Sequence, residues 1–198
     1  MSNKDVQQIY EKIADWMDTY RSRELFEKPY LDQVITYLKP GAKVLDLGCG
    51  TGEPIGQYFA SLGFKVTGVD ACKRMLNLAR SRCAKTKFIL ADMRTINLGE
   101  KFDCIIAWHS FFHLSPEDQR KMFKIFESHL KPNGILLFTT GPDAGEVWSN
   151  NGGESLYHAS LSSVEYMQFL EKFGFEVLLH KIEDPQCKCA TVWLTRLI

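Results

Sequence analysis

Chemistry is concentrated in three places along this chain. The stretch "VLDLGCGTGEPIG", which starts at Val44, sets Gly48, Gly50 and Gly52 on alternate positions after an apolar run. Glycines placed so let the backbone turn sharply and let a ligand approach the main chain without meeting a Cβ. Carboxylates surround that turn in sequence: Asp46 inside the run, Glu53 just past it, Asp70 in "VTGVDA" and Asp92 in "LADMR". An acid after a second strand can accept both hydroxyls of a ribose. An acid after a third can take an exocyclic amino group while its neighbour, Met93, covers the ring. The last place is "WHSFFHLSP", with His109 and His113. An imidazole there can accept a proton near neutral pH. Any one of these Asp residues alone reads equally well as a helix cap or a turn residue. Three acids in order, each closing an apolar run, are harder to account for by capping.

These residues need elements to hold them. The apolar residues Ile9, Ile13, Trp16, Met17 and Tyr20 recur at three- and four-residue steps, which predicts an amphipathic helix from Val6 to about Tyr20. A second helix is expected in "SRELFEKPYLDQVITYL". Short β-branched runs at 43–47, 65–69, 87–90, 102–107 and 134–140 alternate with helical stretches at about 53–62, 73–84, 116–130 and 162–173. Ser115 before Pro116 is a helix start. Gly63, Gly134 and Gly174 are expected as left-handed residues closing helices. The final runs, "FEVLLHKIE" and "ATVWLTRLI", read as an antiparallel hairpin. The expected fold class is α/β, a three-layer sandwich around a Rossmann-like, mostly parallel seven-stranded sheet with that antiparallel C-terminal hairpin strand. Ligands of such sheets sit beyond the carboxyl ends of the strands, where strand order reverses.

Which ligand follows from charge. A dinucleotide fingerprint has glycine where this chain has Glu53, and a carboxylate there opposes a diphosphate. With Asp46 on the same rim, the turn is expected to favour a cationic ligand without phosphate. S-Adenosylmethionine, with its ammonium and sulfonium, answers that description better than NAD. The motifs "VLDLGCGTG", "GVDACKRML", "LADMR" and "FDCIIAWHSFFHLSP", at these spacings, resemble those of the class I S-adenosylmethionine-dependent methyltransferases of the small-molecule type. The resemblance implies that Gly48 and Gly50 pass the methionine part of the cofactor and that Asp70 holds the ribose. It also implies that Ala71 and Met75 line the adenine slot, that Asp92 and Met93 bind the adenine edge, and that Trp108 stands beside the reacting methyl. The N-terminal helix would close over the cofactor, with Tyr20 and Arg23 contributing and the arginine meeting the methionine carboxylate. His109 is the expected base. Tyr10, His113, Trp148, Tyr157 and His158 are candidates for holding the methyl acceptor.

The chain has 198 residues, so one domain is expected, with 1–38 as a helical lid and 141–162 as an active-site loop. Twenty-four basic residues balance 24 acidic ones, and "AWHSFF" stands where a base-flipping enzyme would carry its Pro-Pro-Tyr-type motif. A nucleic-acid partner is therefore not expected, and neither is a membrane partner. The six cysteines include no C-x-x-C pair, and the C-x-C of Cys187 and Cys189 lacks nearby ligands, so free thiols and no metal are expected. Charges run through the first twenty residues, which reads as a cytoplasmic protein, monomeric or homodimeric. The expected function is methyl transfer from S-adenosylmethionine to oxygen, nitrogen or sulfur of a small molecule, leaving S-adenosylhomocysteine. The alternatives are a regulatory protein that binds the cofactor without turnover, or a nucleic-acid or protein methyltransferase.

Overall fold

The computed structural model describes residues 4–198, with side chains described from Val6 onward. The first three residues of the expected lid segment therefore lie outside the described residues. The order of elements is α1 (Lys4–Tyr20), α2 (Lys28–Ile35), β1 (Lys43–Leu47), α3 (Ile55–Ser61), β2 (Lys65–Asp70), α4 (Lys73–Arg82), β3 (Lys87–Leu90) and β4 (Phe102–Ala107). Then come α5 (Pro116–His129), β5 (Leu130–Thr140), β6 (Gly145–Asn151), β7 (Glu154–Ser160), α6 (Ser163–Lys172), β8 (Phe175–Asp184) and β9 (Ala190–Leu197).

Seven strands form one sheet in the order β3-β2-β1-β4-β5-β9-β8. The pairs β2–β3, β1–β2, β1–β4 and β4–β5 are parallel, whereas β9 runs antiparallel to both its neighbours. The near-continuous apolar runs follow from burial on both faces. Within β4, Ile105 and Ala107 pack on the α5–α6 side, while Cys104 and Ile106 pack on the side of α2 and α3. β5 splits the same way, with Leu136 and Phe138 against Ile135 and Leu137. Strand order reverses between β1 and β4, so the glycine turn after Leu47 and the Trp108–His109 step after Ala107 share one end of the sheet. Ser115 caps α5 by accepting from the Asp118 N–H. All six cysteines are free thiols.

Two expectations are corrected. The segment expected as an active-site loop, 141–162, is largely a two-stranded antiparallel ribbon, β6–β7, turned at Gly152 and Gly153. Two adjacent glycines at positive φ provide the tight turn, and Leu156 and Ala159 face α1 as one apolar edge. Gly134 does not adopt the left-handed conformation; Asn133 does, at φ 63°. The short polar side chain of Asn tolerates that region, and a Cβ on Gly134 would stand 2.8 Å from the Lys131 carbonyl oxygen.

Candidate active site

The glycine turn is shaped by what surrounds each residue. Gly48, Gly50 and Gly52 all have positive φ, and a Cβ on Gly48 would stand 2.2 Å from the Ser110 Cβ. A Cβ on Gly50 would meet nothing closer than the Arg21 guanidinium, 3.5 Å away. Gly48 is therefore fixed by packing, while Gly50 opens onto space. Asp70 ties the turn to β2: its carboxylate accepts from the Gly50 N–H and the Cys72 N–H, each at 2.8 Å. Burial pushes the Asp70 carboxyl above the usual carboxylate range against those two bonds.

That space is a pocket of about 1090 Å³, counted out to its open mouth, at the carboxyl ends of β1, β2, β3 and β4. Gly48, Gly50, Asp70, Ala71, Met75, Asp92 and Met93 line it. Arg23, Tyr10, His109 and His113 border it too. α1 forms one wall, docked by a hydrogen bond from the Gln7 amide to the Ala71 carbonyl at 2.8 Å. Other expected residues lie elsewhere. Tyr20 is 70% exposed beside Trp16, and Trp148 is 48% exposed against Tyr157. Tyr157 is buried under α1 with Val6, Ile9 and Ile13. His158 stacks on Phe112 behind His113 and bonds Ser149. Trp108 does not line this pocket; it packs on Tyr30 and borders an adjoining cavity instead.

The charge at the rim also differs from the expectation. Asp46 is 5% exposed and does not line the pocket, and burial lifts its carboxyl to about 7. Glu53 lines the pocket but is paired with Arg23 and Arg82 at 3.4 Å each, and Asp18 joins both arginines. Two acids and two bases there cancel, so the rim is not the bare acidic lip inferred from sequence. Arg23 is consumed in this cluster. Asp92 is gripped by the Arg94 side chain and backbone N–H. Burial raises its carboxyl, and these bonds outweigh that and hold it below the ordinary value.

The cation left over is Arg21, which sequence reasoning missed. It lines the pocket beside Gly50, and among the described residues no hydrogen bond or ion pair engages its guanidinium. The signal was present: Tyr10, Met17 and Arg21 follow one another at helical spacing, and the Arg21 N–H still bonds the Met17 carbonyl at 2.8 Å. Ser110 was missed as well; its hydroxyl donates to the Leu47 carbonyl at 2.6 Å and pins the β4 exit to the glycine turn.

The two histidines have distinct settings. His113 is buried, and its Nδ1 lies 2.8 Å from the Tyr157 carbonyl, which can only accept. Nδ1 therefore carries the proton, and Nε2 accepts from the Tyr10 hydroxyl at 2.9 Å. Desolvation brings His113 down to about 3 and raises the Tyr10 phenol, so this is a neutral pair. His109 sits at φ 49°, held by its N–H donating to Thr139 Oγ1. Its ring keeps open access to the pocket, while crowding by the surrounding protein and the charge of Arg21 hold it below the ordinary imidazole value. It is a neutral proton acceptor at pH 7.

Among the described residues no group of three His, Cys, Asp or Glu is placed to hold a metal, and no helix is long and apolar enough to cross a membrane. A family model described as a methyltransferase domain matches residues 44–134. Cyclopropane-fatty-acyl-phospholipid synthase of Escherichia coli K12 is 36% identical over 106 residues, covering 52% of this chain and 27% of that protein. Putative methyltransferase YqeM of Bacillus subtilis 168 is 34% identical over 136 residues, covering 66% of this chain and 54% of that protein. The chain thus spans at most 54% of the length of these two curated relatives. Magnesium protoporphyrin IX methyltransferase of Synechocystis PCC 6803, solved with bound S-adenosylmethionine, superposes with a TM-score of 0.76 at 16% identity, over 99% of this chain and 97% of that one. At that identity the likeness is one of fold.

Proposed function

We propose that this chain, which belongs to the class I S-adenosylmethionine-dependent methyltransferases, holds S-adenosylmethionine in the main pocket and passes its methyl group to a small-molecule acceptor. The observation that carries the reading is the pairing pattern of the pocket's charges. After Asp18, Glu53, Arg23 and Arg82 neutralise one another and Arg94 takes Asp92, one base and one acid remain, Arg21 and Asp70. That leaves a carboxylate receptor and a hydroxyl receptor in one cleft, with Ala71, Met75 and Met93 supplying an apolar slot. An adenosyl amino acid presents the three complementary parts. A dinucleotide's diphosphate would find Arg21 alone to meet two charges.

The cofactor supplies an electrophilic methyl on a sulfonium. Arg21 holds the amino-acid carboxylate, Asp70 accepts the ribose hydroxyls, and Gly50 permits close approach. α1 excludes water from one side, through Gln7 and Tyr10. Neutral His109, open to the pocket, accepts a proton from the acceptor. The balanced charge, 24 against 24, favours a small acceptor over a nucleic acid. Calorimetric titration tests the cofactor: S-adenosylhomocysteine binds with 1:1 stoichiometry and NAD gives no heat. Binding of NAD in competition with S-adenosylhomocysteine would refute the reading.

A further inference from the structure

A second cavity of about 460 Å³ adjoins the main pocket and shares Arg21, Ser22 and His109 with it. Trp108, Phe26 and Pro54 give it apolar wall, and Glu24, Glu27, Arg21 and Lys188 bring charge of both signs. Glu27 is the unusual member. It is 6% exposed and stands at the N-terminus of α2, but its side chain caps no N–H of that helix. Its carboxylate accepts from its own backbone N–H and feels the charges of Arg21 and Lys188, but among the described residues no cation forms an ion pair with it. Lys188 lies instead over the Phe26 ring, 4.0 Å from its centroid. A buried carboxylate with one donor and no ion pair is costly, and the open space next to this one is the cavity.

We propose that this cavity receives the methyl acceptor and that Glu27 binds an ammonium or amine on it, with Trp108 beside the cation and its apolar body. The proposal rests on reading the main pocket as the cofactor site, since the shared residue His109 then stands between cofactor and acceptor. Aromatic faces attract cations, more strongly where water is excluded. An anionic acceptor would instead be drawn to Arg21 and Lys188 and set against Glu27, so the sign of charge the cavity takes is what the test reads.

Phenethylammonium is the probe, titrated by calorimetry and by saturation-transfer NMR into the full chain saturated with S-adenosylhomocysteine. Binding in the millimolar range is expected. Glu27→Gln, which keeps shape and removes charge, weakens it at least about ten-fold, in line with loss of a charge-assisted bond. The same variant leaves S-adenosylhomocysteine affinity unchanged. Phenylpropionate, of similar size and opposite charge, does not bind. Lys188→Asn, which keeps a residue suited to the φ of 51° there, removes a like charge and tightens phenethylammonium about threefold; this variant decides the matter if Glu27→Gln does not fold. Equal binding of phenethylammonium by wild type and Glu27→Gln overturns the proposal, as does phenylpropionate binding more tightly than phenethylammonium. No S-adenosylhomocysteine binding by the wild type overturns the reading of the main pocket instead.

Discussion

At Gly48 packing and backbone conformation make the same demand. The residue has φ 73°, and a Cβ would lie 2.2 Å from that of Ser110. Gly48→Ala is expected to destabilise the protein by about 2 kcal/mol or more, read from the urea midpoint. Ser110→Gly removes the clash but also the bond to the Leu47 carbonyl, so the reading is a double-mutant cycle, in which Gly48→Ala costs less in the Ser110→Gly background than in the wild type. If Gly48→Ala costs as much in the Ser110→Gly background as in the wild type, the contact is not the cause. Arg21 calls for a different measurement. Arg21→Met should weaken S-adenosylhomocysteine by about ten- to a hundredfold, the range for a hydrogen bond to a charged group. 5′-Methylthioadenosine, which lacks the amino-acid part, should bind both forms alike; an equal loss for both ligands would remove the carboxylate role. The glycines and Asp70 were readable because the backbone at a strand's end fixes them locally. Arg23 reads in sequence as the carboxylate partner because Asp18 and Glu53, which engage it, lie elsewhere on the helix and the chain and no local pattern shows it taken.

Seven strands and the helices between them were legible at the scale of elements, because burial on both faces leaves long apolar runs and Pro or Gly marks their ends. The ribbon β6–β7 was not, although "NNGG" is a turn signal, because its outer face is polar and its exposed Trp148 and Val147 break the alternation. That ribbon matters through one chain of bonds. Tyr10 on α1 donates to His113, and His113 donates to the Tyr157 carbonyl on β7, so the helix, the β4 exit and the ribbon are clasped at one buried ring. Its titration gives a signed prediction. In the unfolded chain His113 binds a proton near 6.5, and in the fold it resists until about 3. The unfolded state therefore holds more protons between those values. Stability is full above 6.5 and falls as pH drops through the window, by up to about 1.4 kcal/mol per unit. Comparing urea unfolding at about pH 7.5 and about pH 5, His113→Gln should reduce the acid-induced loss by about 2 kcal/mol. His109 and His158 shift in the same direction, so some loss persists. An unchanged difference would show that His113 is accessible to protons in the fold.

Taken as a whole, the molecule is anchored unevenly. The sheet is held by two large apolar clusters, one on each face, with Phe123, Phe126 and Trp193 on one side and Phe59, Leu31 and Val192 on the other. α1 belongs to neither. It is attached through small clusters, Val6, Ile9 and Ile13 on Leu156, Tyr157 and Ala159, and Ala14 on Cys72 and Met75. Around these lie ion pairs such as Lys12–Glu154 and Arg74–Asp15, which face water and add little. Less buried apolar area means a lower cost of opening, so α1 should open without unfolding the sheet. The same helix supplies Gln7 and Tyr10 to the pocket wall and carries Arg21 just past its end, which makes its opening and ligand release one event. Amide hydrogen exchange should therefore find α1 exchanging well before β1 and β4 in the free protein. At a hundredfold excess of S-adenosylhomocysteine over its Kd, α1 should slow by up to about a hundredfold, since binding to the closed form alone adds about 2.7 kcal/mol. Protection confined to the glycine turn, with α1 unaffected, would mean that the ligand enters and leaves past a fixed helix, and the lid role would have to be given up.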